Sequence, residues 1–292
     1  MRKMTDPIFC FGEMLWDVLP GGRRPGGAPM NVAYHLSRFG RNAFPISAVG
    51  RDPAGDALLD HLRRWKVPTD WVARVELLPT GEVFAEIDDT GNATYEIVEP
   101  SAWDAIPISD TLLEQVKSAS ALVFGSLAQR REENQRRLKQ VLHTLPFNSL
   151  RVFDVNLRPP FDDLQLVGRL ARHANVLKVN HDEAARLGGH SPDAMEENAR
   201  AMASTSESAL ICVTAGRGGA GILSKNVWIF EEGRDVVVGD TVGAGDSFLA
   251  ALIDGLLGGK PIPEILKRAC RVGEFVATQT GATPAYDPSG IA

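Results

Sequence analysis

Residues 240–246, with the sequence DTVGAGD, carry the strongest chemical signal in the chain. They precede a clear helical pattern, and their two glycines would let the backbone approach a ligand closely. The unpaired N–H groups of a first helical turn, aided by the helix dipole, bind anions. Asp246 in that turn could accept the proton of an attacking hydroxyl group. The segment therefore predicts a phosphoryl-transfer site, although the dipole alone also favours an aspartate there.

A second glycine segment, GGAPMN at residues 26–31, lies near the start of the chain. Its two glycines offer backbone polar groups, and Pro29 is typical of a first helical position. The Asn31 side chain supplies both a hydrogen-bond donor and acceptors, which suits a polar ligand. Taken alone, Asn31 is equally consistent with a residue that satisfies the local backbone at a helix start.

Other polar side chains stand at the ends of predicted strands. Asp17 follows the first strand, and a carboxylate can accept hydrogen bonds from two vicinal hydroxyl groups; an exposed loop aspartate is the alternative. Asp154, Asn156 and Arg158 alternate along another segment, so they lie on one side if the extended form continues. Arg158 could then bind a phosphate or a sugar oxygen, or form a structural ion pair with Asp154.

The elements that must position these residues alternate between strands and helices. Short apolar runs predict buried strands at Ile8–Gly12, Ile46–Gly50, Ala121–Gly125, Val152–Asn156, Val176–Asn180 and Leu210–Thr214, and Asp235–Val238 is also typical of a strand. Helical periodicity predicts helices at Pro29–Phe39, from Asp52–Pro53 onward, and at Glu132–Leu145, Asp163–His173, Ala194–Ser204, Ala244–Leu257 and Pro263–Thr280. The alternation predicts an α/β fold with a mostly parallel, helix-covered sheet.

One region interrupts the alternation. Trp71–Val75, Val83–Ile87 and Thr94–Val98 are strand-like in direct succession, and residues 89–92 supply a turn. We therefore expect a small β-element inserted beside the larger body. It would be either a lid over a site or an antiparallel edge extension without function.

Composition and charge exclude several classes of function. The formal net charge of -6 gives no overall basic field for nucleic acid or an anionic membrane. The three cysteines are isolated, which fits a reducing compartment and provides no zinc motif. No segment has the pattern of a signal peptide or a membrane span. We expect a cytoplasmic protein without nucleic-acid or membrane partners.

The two glycine segments together resemble the signatures of the ribokinase-like carbohydrate kinases, the PfkB family. GAGD at 243–246 is similar to the C-terminal signature, and GGAPMNVA at 26–33, continuing to Gly40, is similar to the N-terminal one. The resemblance extends over essentially the whole chain. It implies a ribokinase-like three-layer fold with a small β-sheet lid, built as a single domain of residues 1–292. The lid segments would be about 13–28 and 71–102.

The resemblance also implies roles for individual residues. Asp246 would be the catalytic base, in an anion hole formed by Gly243, Ala244 and Gly245. The substrate site would comprise Asp17, Gly27, Ala28, Asn31, Gly125 and Arg158. The nucleotide site would comprise Asn180, Glu183, Thr214, Gly216, Gly219, Gly245 and Cys270. Glu183 would act near Mg²⁺ through water, because Mg²⁺ keeps several water ligands. A K⁺ site, which many family members do not share, would comprise Asp240, Val242, Ala277, Thr280 and Ala282.

The activity that this resemblance implies is transfer of the γ-phosphate of ATP, with Mg²⁺, to the primary hydroxyl of a free sugar. Residues 101–104 (SAWD) and 124–130 (FGSLAQR) resemble the fructokinase branch, and Ala28 replaces a lysine usual in ribokinases. Fructose, giving fructose 6-phosphate, is therefore the first expectation. 2-Keto-3-deoxygluconate, whose carboxylate Arg158 could bind, and ribose are the alternatives. Apolar alternation in the lid strands would suit a homodimer.

Two other classes of protein remain as alternatives. Gly216, Gly218 and Gly221 satisfy the G-x-G-x-x-G pattern of an NAD-dependent oxidoreductase, but strand-like residues follow where that fold needs a helix. A non-catalytic sugar-binding protein on a kinase scaffold would be expected to lose Asp246 or its neighbouring glycines. Neither is lost in this chain.

Overall fold

The computed structural model describes residues 4, 6–19, 21–87, 93–206 and 208–291. In chain order the strands are β1 (Ile8–Phe11), β2 (Leu15–Leu19), β3 (Gly22–Gly26), β4 (Ala43–Gly50), β5 (Val72–Val75), β6 (Gly81–Ile87), β7 (Ala93–Ile97), β8 (Ala121–Gly125), β9 (Leu150–Asp154), β10 (Val176–Asn180), β11 (Leu210–Thr214), β12 (Ala220–Ser224) and β13 (Val227–Glu231). The helices are α1 (Ala28–Arg38), α2 (Pro53–Arg64), α3 (Asp110–Val116), α4 (Glu132–Thr144), α5 (Leu164–Ala171), α6 (His181–Gly188), α7 (Met195–Thr205), α8 (Ala244–Leu257) and α9 (Ile262–Ala277). The turn predicted at residues 89–92 lies outside the described residues.

Within the described residues, nine strands form the main sheet, in the order β13-β12-β11-β10-β9-β8-β1-β4-β5. The strands from β11 to β5 in this row are parallel, and β12 and β13 add an antiparallel edge. Successive residues of β1 point to opposite faces, so Ile8 and Cys10 pack in one core and Phe9 and Phe11 in the other. Burial on both faces explains the continuous apolar runs in the sequence.

Helices cover both faces of the main sheet. The first core joins the sheet to apolar residues of α1, α2, α8 and α9, and the second joins it to apolar residues of α3, α4, α5, α6 and α7. The result is the predicted three-layer α/β fold. Helix α8 is apolar on most of its surface because it packs against both α1 and α9. No helix in the described part of the chain combines the length and apolar character needed to cross a bilayer.

A second, smaller sheet has the strand order β3-β2-β6-β7, and we call it the small sheet. β2 runs parallel to β6, with Leu15 opposite Gly81, and the other two pairs are antiparallel. The small β-element predicted at 83–98 is confirmed. The strand predicted at Trp71–Val75 is present as β5, but its assignment to that element was wrong, because β5 pairs in parallel with β4 at the edge of the main sheet. The short connection from α2 makes β4-α2-β5 an ordinary crossover unit, and Val72 packs in the first core.

The strand predicted at Asp235–Val238 is also wrong. This segment has no strand pairing, and the side chain of Val237 is 90% exposed. Its run of three valines has the composition of a strand, but composition alone does not form one, because strand preference depends on pairing and burial. The segment is instead an irregular connection from β13 to the start of α8.

A buried ion pair ties the segment that follows the small sheet to the loop after β8. The Arg130 guanidinium donates to both carboxylate oxygens of Asp104, at 2.7 Å each, and both side chains are almost fully buried. The guanidinium also lies over the rings of Trp103 and Phe161, 4.0 and 4.5 Å from their centroids. Trp103, Asp104 and Arg130 belong to the SAWD and FGSLAQR segments described above. Their contacts assign them a structural role beside the cleft described below.

We expect Arg130→Ala to destabilise the protein strongly, because it leaves the Asp104 carboxylate buried without its partner. The free energy of unfolding should fall by about 3–5 kcal/mol in urea denaturation. Arg131→Ala is the matched control, since Arg131 pairs with Glu99 at the exposed surface. It should cost less than about 1 kcal/mol. Equal losses in the two variants would contradict the role assigned to the buried pair.

Candidate active site

A cleft of about 510 Å³ opens at the carboxyl ends of the parallel strands. It lies between the main sheet, the N-terminal ends of α1 and α8, and the inner face of the small sheet. Ligands of open α/β sheets bind at this edge, where the loops that follow the strands converge. Of the residues predicted for the substrate and catalytic sites, the cleft is lined by Asp17, Gly27, Ala28, Asn31, Arg158, Gly243, Gly245 and Asp246.

The N-terminal end of α8 forms one wall of the cleft. Gly243 is its N-cap residue and has a left-handed backbone, with φ of 80°. A β-carbon at this position would lie 2.5 Å from the α-carbon of Ala282, so a side chain does not fit. No side chain in the described part of the protein caps this helix. The Ala244 N–H donates to the Thr241 carbonyl oxygen at 3.3 Å, whereas the Gly245 N–H has no partner among the described residues and is therefore suited to bind an external anion.

Asp246 and Asn31 join the two predicted glycine segments across the cleft. The Asn31 amide nitrogen donates to Asp246 Oδ2 at 2.8 Å. Burial, together with the nearby charge of Asp154, raises the pKa of Asp246 to about 6, and the Asn31 hydrogen bond and the Lys178 charge oppose this shift. The buried Asn31 Oδ1 has no hydrogen-bond partner among the described residues, so it can accept from a ligand.

The start of α1 depends on Glu13, a residue that the sequence analysis did not select. Glu13 Oε1 accepts the backbone N–H of Ala28 at 3.2 Å. Gly27 has φ of 114°, and a β-carbon there would collide with the Glu13 carbonyl oxygen. Burial raises the pKa of Glu13 to about 7. Its position directly after the first strand was the available signal, because side chains at strand ends reach this edge of the sheet.

The small sheet contributes Asp17, and the loop after β9 contributes Arg158. Burial raises the pKa of Asp17 to about 6, while the charge of Arg158 opposes the shift. The alternative in which Arg158 pairs with Asp154 is wrong, because Asp154 accepts from Lys178 Nζ at 3.0 and 3.3 Å. The extended form does not continue to Arg158, since Asn156 has a left-handed backbone with φ of 43°.

Lys178 is a second residue that the sequence analysis missed. It lines the cleft from β10, and its Nζ would be 3.3 Å from a β-carbon at Gly245 in the anion-binding turn. Burial lowers its pKa, but the carboxylates of Asp154, Glu183 and Asp246 outweigh burial and raise it. A lysine in the middle of the apolar run VLKVN was a detectable signal. The buried ammonium places a positive charge beside the first turn of α8.

Five of the residues predicted for the nucleotide lie along the same edge of the sheet, beyond the cleft lining, whereas Gly245 lines the cleft. Asn180 and Glu183 form a capping box at the start of α6, with Glu183 Oε2 accepting the Asn180 N–H at 2.9 Å. Glu183 Oε1 accepts the Leu157 N–H at 2.7 Å. Thr214 lies opposite Asn180 in the next strand. Gly216 and Gly219 form the turn that leads into β12.

Two other predicted residues lie outside the cleft lining. Cys270 is buried in α9, and Gly125 ends β8 beside a smaller recess that Ala28 also lines. The glycines at 216–221 lead into a strand, β12, where an NAD-binding fold needs a helix. Among the described residues, no group of three or more histidine, cysteine, aspartate or glutamate side chains is arranged to hold a metal ion.

The residues predicted for K⁺ come together beneath the cleft, but the Asp240 carboxylate and the carbonyl oxygens of Ala277 and Ala282 already accept hydrogen bonds. Asp240 Oδ1 accepts the Val242 N–H at 3.0 Å, and Oδ2 accepts the Gly281 N–H at 3.1 Å and Arg24 Nη1 at 2.8 Å. The remaining predicted ligands are Ala277, Thr280 and Ala282. The Ala277 carbonyl accepts the N–H groups of both residues 239 and 240, and the Ala282 carbonyl accepts from His35 Nε2. With a guanidinium already at the carboxylate, this set does not fit a monovalent cation.

Comparisons with known proteins find kinases of similar sequence and fold. The fructokinase of Salmonella typhimurium is 30% identical over 268 residues, covering 87% of this chain and 85% of its own. The crystal structure of Vibrio cholerae fructokinase in its fructose-, ADP- and calcium-bound form is 25% identical, covers 97% of this chain and 96% of its own, and has a TM-score of 0.82. The 2-dehydro-3-deoxygluconokinase of Thermotoga maritima has a TM-score of 0.84 at 21% identity, with 98% of both chains covered.

The sequence profile of the pfkB family of carbohydrate kinases matches residues 8–288, which include both glycine segments and every strand and helix of the two sheets and their covering layers. This chain therefore belongs to the pfkB family of carbohydrate kinases.

Proposed function

We propose that this sugar kinase transfers the γ-phosphate of ATP to the primary hydroxyl of fructose, giving fructose 6-phosphate. The observation that carries the proposal is the hydrogen bond between Asn31 and Asp246 at the uncapped start of α8. This contact brings together, in one cleft, a candidate base (Asp246), an acceptor without a partner among the described residues (Asn31 Oδ1) and a candidate anion-binding turn. In-line transfer requires that an alcohol and a terminal phosphate meet at such a place.

Asp246 acts as the base in this proposal. Asn31 holds Oδ2, so Oδ1 is the oxygen that takes the hydroxyl proton. A pKa of about 6 keeps the group ionised at neutral pH while leaving it more basic than an ordinary aspartate. The N–H group of Gly245, with Lys178 beside it, stabilises the negative charge that develops on the transferred group.

The nucleotide would extend from this turn along the ends of β10 and β11, over Asn180, Thr214 and the turn at 216–219. The phosphates of ATP would bring a hydrated Mg²⁺ into the site. One or two carboxylates are enough to hold such an ion, because Mg²⁺ keeps most of its water ligands. Glu183, with both oxygens accepting backbone N–H groups, would contact such an ion only through water. When bound with ATP, Mg²⁺ would neutralise phosphate charge.

Fructose is favoured over the two other sugars for two reasons. The fructokinase of Salmonella typhimurium is similar over most of the chain, and the Vibrio cholerae neighbour is described with fructose bound. Asp17, Asn31 and the amide of Gly27 offer acceptors and a donor that suit the hydroxyl groups of a neutral sugar. Arg158 supports 2-keto-3-deoxygluconate as the second candidate, because its guanidinium could bind a carboxylate.

The small sheet would serve as the lid. Three of its strands face the cleft, through Asp17 of β2, Val83 of β6 and Ile97 of β7. Closure of this sheet would exclude water from the transferred phosphate. Its outer face is our proposed surface for a homodimer, and Phe84 is exposed on this sheet. We also expect the enzyme to act in the cytoplasm, where its three buried free cysteines would remain reduced.

Asp246→Asn should lower kcat by about 100- to 10,000-fold, because the amide cannot accept the hydroxyl proton. The dissociation constant of ATP, measured by titration calorimetry, should change little. Glu264→Gln is the matched control, as an exposed acidic residue in the first turn of α9, and it should retain turnover. Wild-type kcat in Asp246→Asn would reject the role of the base.

The pH dependence of kcat at saturating sugar should report the raised pKa of Asp246. The base works only when deprotonated, so kcat should rise with pH through about 6, well above the ordinary aspartate range. The carboxylates of Glu13 and Asp17 titrate nearby, so the apparent value belongs to the group. In Asp17→Asn, kcat should still rise with pH through about 6. Loss of that rise in this variant would assign the titration to Asp17.

A panel of free sugars tests the choice of substrate. Sugar-dependent ADP release should be greatest with fructose, compared with ribose and 2-keto-3-deoxygluconate at equal concentration. The Asp246→Asn variant supplies the background rate for each sugar. Turnover confined to the keto-acid would replace fructose with the second candidate and would give Arg158 the role of its carboxylate ligand.

A further inference from the structure

The carboxylate of Asp240 organises the loop in front of the anion-binding turn. Its two oxygens accept the N–H groups of Val242, which leads into α8, and of Gly281, which follows α9. The same carboxylate therefore fixes both backbone segments that meet at Gly243 and Ala282 under the cleft. A fixed negative charge in this place is unfavourable for a kinase, because the terminal phosphate of ATP must bind close by.

Arg24 supplies the compensating charge from the opposite side of the cleft. It belongs to β3 of the small sheet, lines the cleft, and donates from Nη1 to Asp240 Oδ2 at 2.8 Å. Its side chain passes Gly281, where a β-carbon would lie 3.8 Å from Arg24 Cδ. The position of the guanidinium is thus set by the carboxylate and by the 281 turn together.

The charges of this pair extend into the site. The negative charge of Asp240 raises the pKa of Asp17, and the positive charge of Arg24 lowers it. Removal of Arg24 would therefore leave an uncompensated carboxylate that acts on the groups around the sugar and the phosphate. A small free cation could provide the same compensation in its absence.

We propose that the Arg24 guanidinium takes the place of a monovalent cation at Asp240, so that nucleotide binding and turnover in this enzyme do not require K⁺. This rests on the proposed function, since it assigns the turn above Asp240 to the terminal phosphate of ATP. It also makes Arg24 a positioning residue that links the small sheet to the anion-binding turn. The Vibrio cholerae fructokinase neighbour, by contrast, is described in a double mutant with fructose, ADP and potassium ion bound.

The test measures the dissociation constant of Mg·ATP by titration calorimetry, in tetramethylammonium chloride and in KCl at equal ionic strength. For the wild-type enzyme, the two values should agree within about twofold. Arg24→Ala should weaken binding about tenfold in tetramethylammonium chloride, and KCl should restore most of the loss, because K⁺ can occupy the vacated place at the carboxylate. Arg24→Lys, which keeps the charge, should bind with no more than about a threefold loss in either salt.

Arg23→Ala is the matched control, because Arg23 is the preceding residue of the same strand and pairs with Glu82 within the small sheet. Its affinity for Mg·ATP should equal that of the wild type in both salts. A wild-type enzyme that binds Mg·ATP more than about fivefold more tightly in KCl would overturn the proposal. Weakening in Arg24→Ala that K⁺ does not relieve would also overturn it, since Arg24 would then contact the nucleotide itself.

The binding measurement separates this proposal from the choice of sugar. It uses no sugar, so an enzyme that phosphorylates none of the sugars tested would refute the proposed function and leave the salt comparison valid. An Arg24→Ala variant that binds Mg·ATP as tightly as Arg23→Ala in tetramethylammonium chloride would refute the role of Arg24 while leaving sugar phosphorylation intact.

Discussion

The contact between Asn31 and Asp246 is the constraint on which the rest of the site depends. It joins the first turn of α1 to the first turn of α8, two helices that pack side by side on the same face of the main sheet. Both helix starts need glycine, because Gly27 and Gly243 have left-handed backbones against neighbouring main chain. A side chain at either position would displace a helix start, and the first-turn amides, Asp246 and Asn31 would no longer face one another.

The site is also constrained by an unusual density of charge. Glu13, Asp17 and Asp246 line one cleft, and burial raises the pKa of all three. Arg24, Arg158 and Lys178 line the same cleft and oppose this effect. The balance keeps Asp246 ionised near neutral pH without a dedicated partner cation in direct contact. A base that formed its own ion pair would be a weaker proton acceptor, because the pair would lower its pKa.

The sequence predicted the body of the fold well because buried parallel strands leave continuous apolar runs and helices leave a regular period. The prediction failed where contacts between distant segments decide which sheet a strand joins or which residues form the site. Val72–Val75 has the same local pattern as the lid strands, and only pairing with β4 assigns it to the main sheet. The segment at 235–238 is valine-rich but pairs with no strand of either sheet. Glu13 and Lys178 left only weak local signals. Their contacts with Ala28, Asp154 and Gly245 arise only when the chain folds.

The buried pair of Lys178 and Asp154 shows why such charges persist in a place where desolvation is costly. The pair contributes little to stability, because burying two apolar side chains of similar volume would cost less desolvation free energy. Its position explains it better. Lys178 Nζ lies beside Gly245, and Asp154 holds it there with both carboxylate oxygens. A lone lysine in this position would lose its proton or move to solvent, whereas the paired lysine keeps its charge next to the helix start. The net effect is a fixed positive charge at the turn proposed to accept the phosphate, and the carboxylate that fixes it also raises the pKa of Asp246 in the same turn.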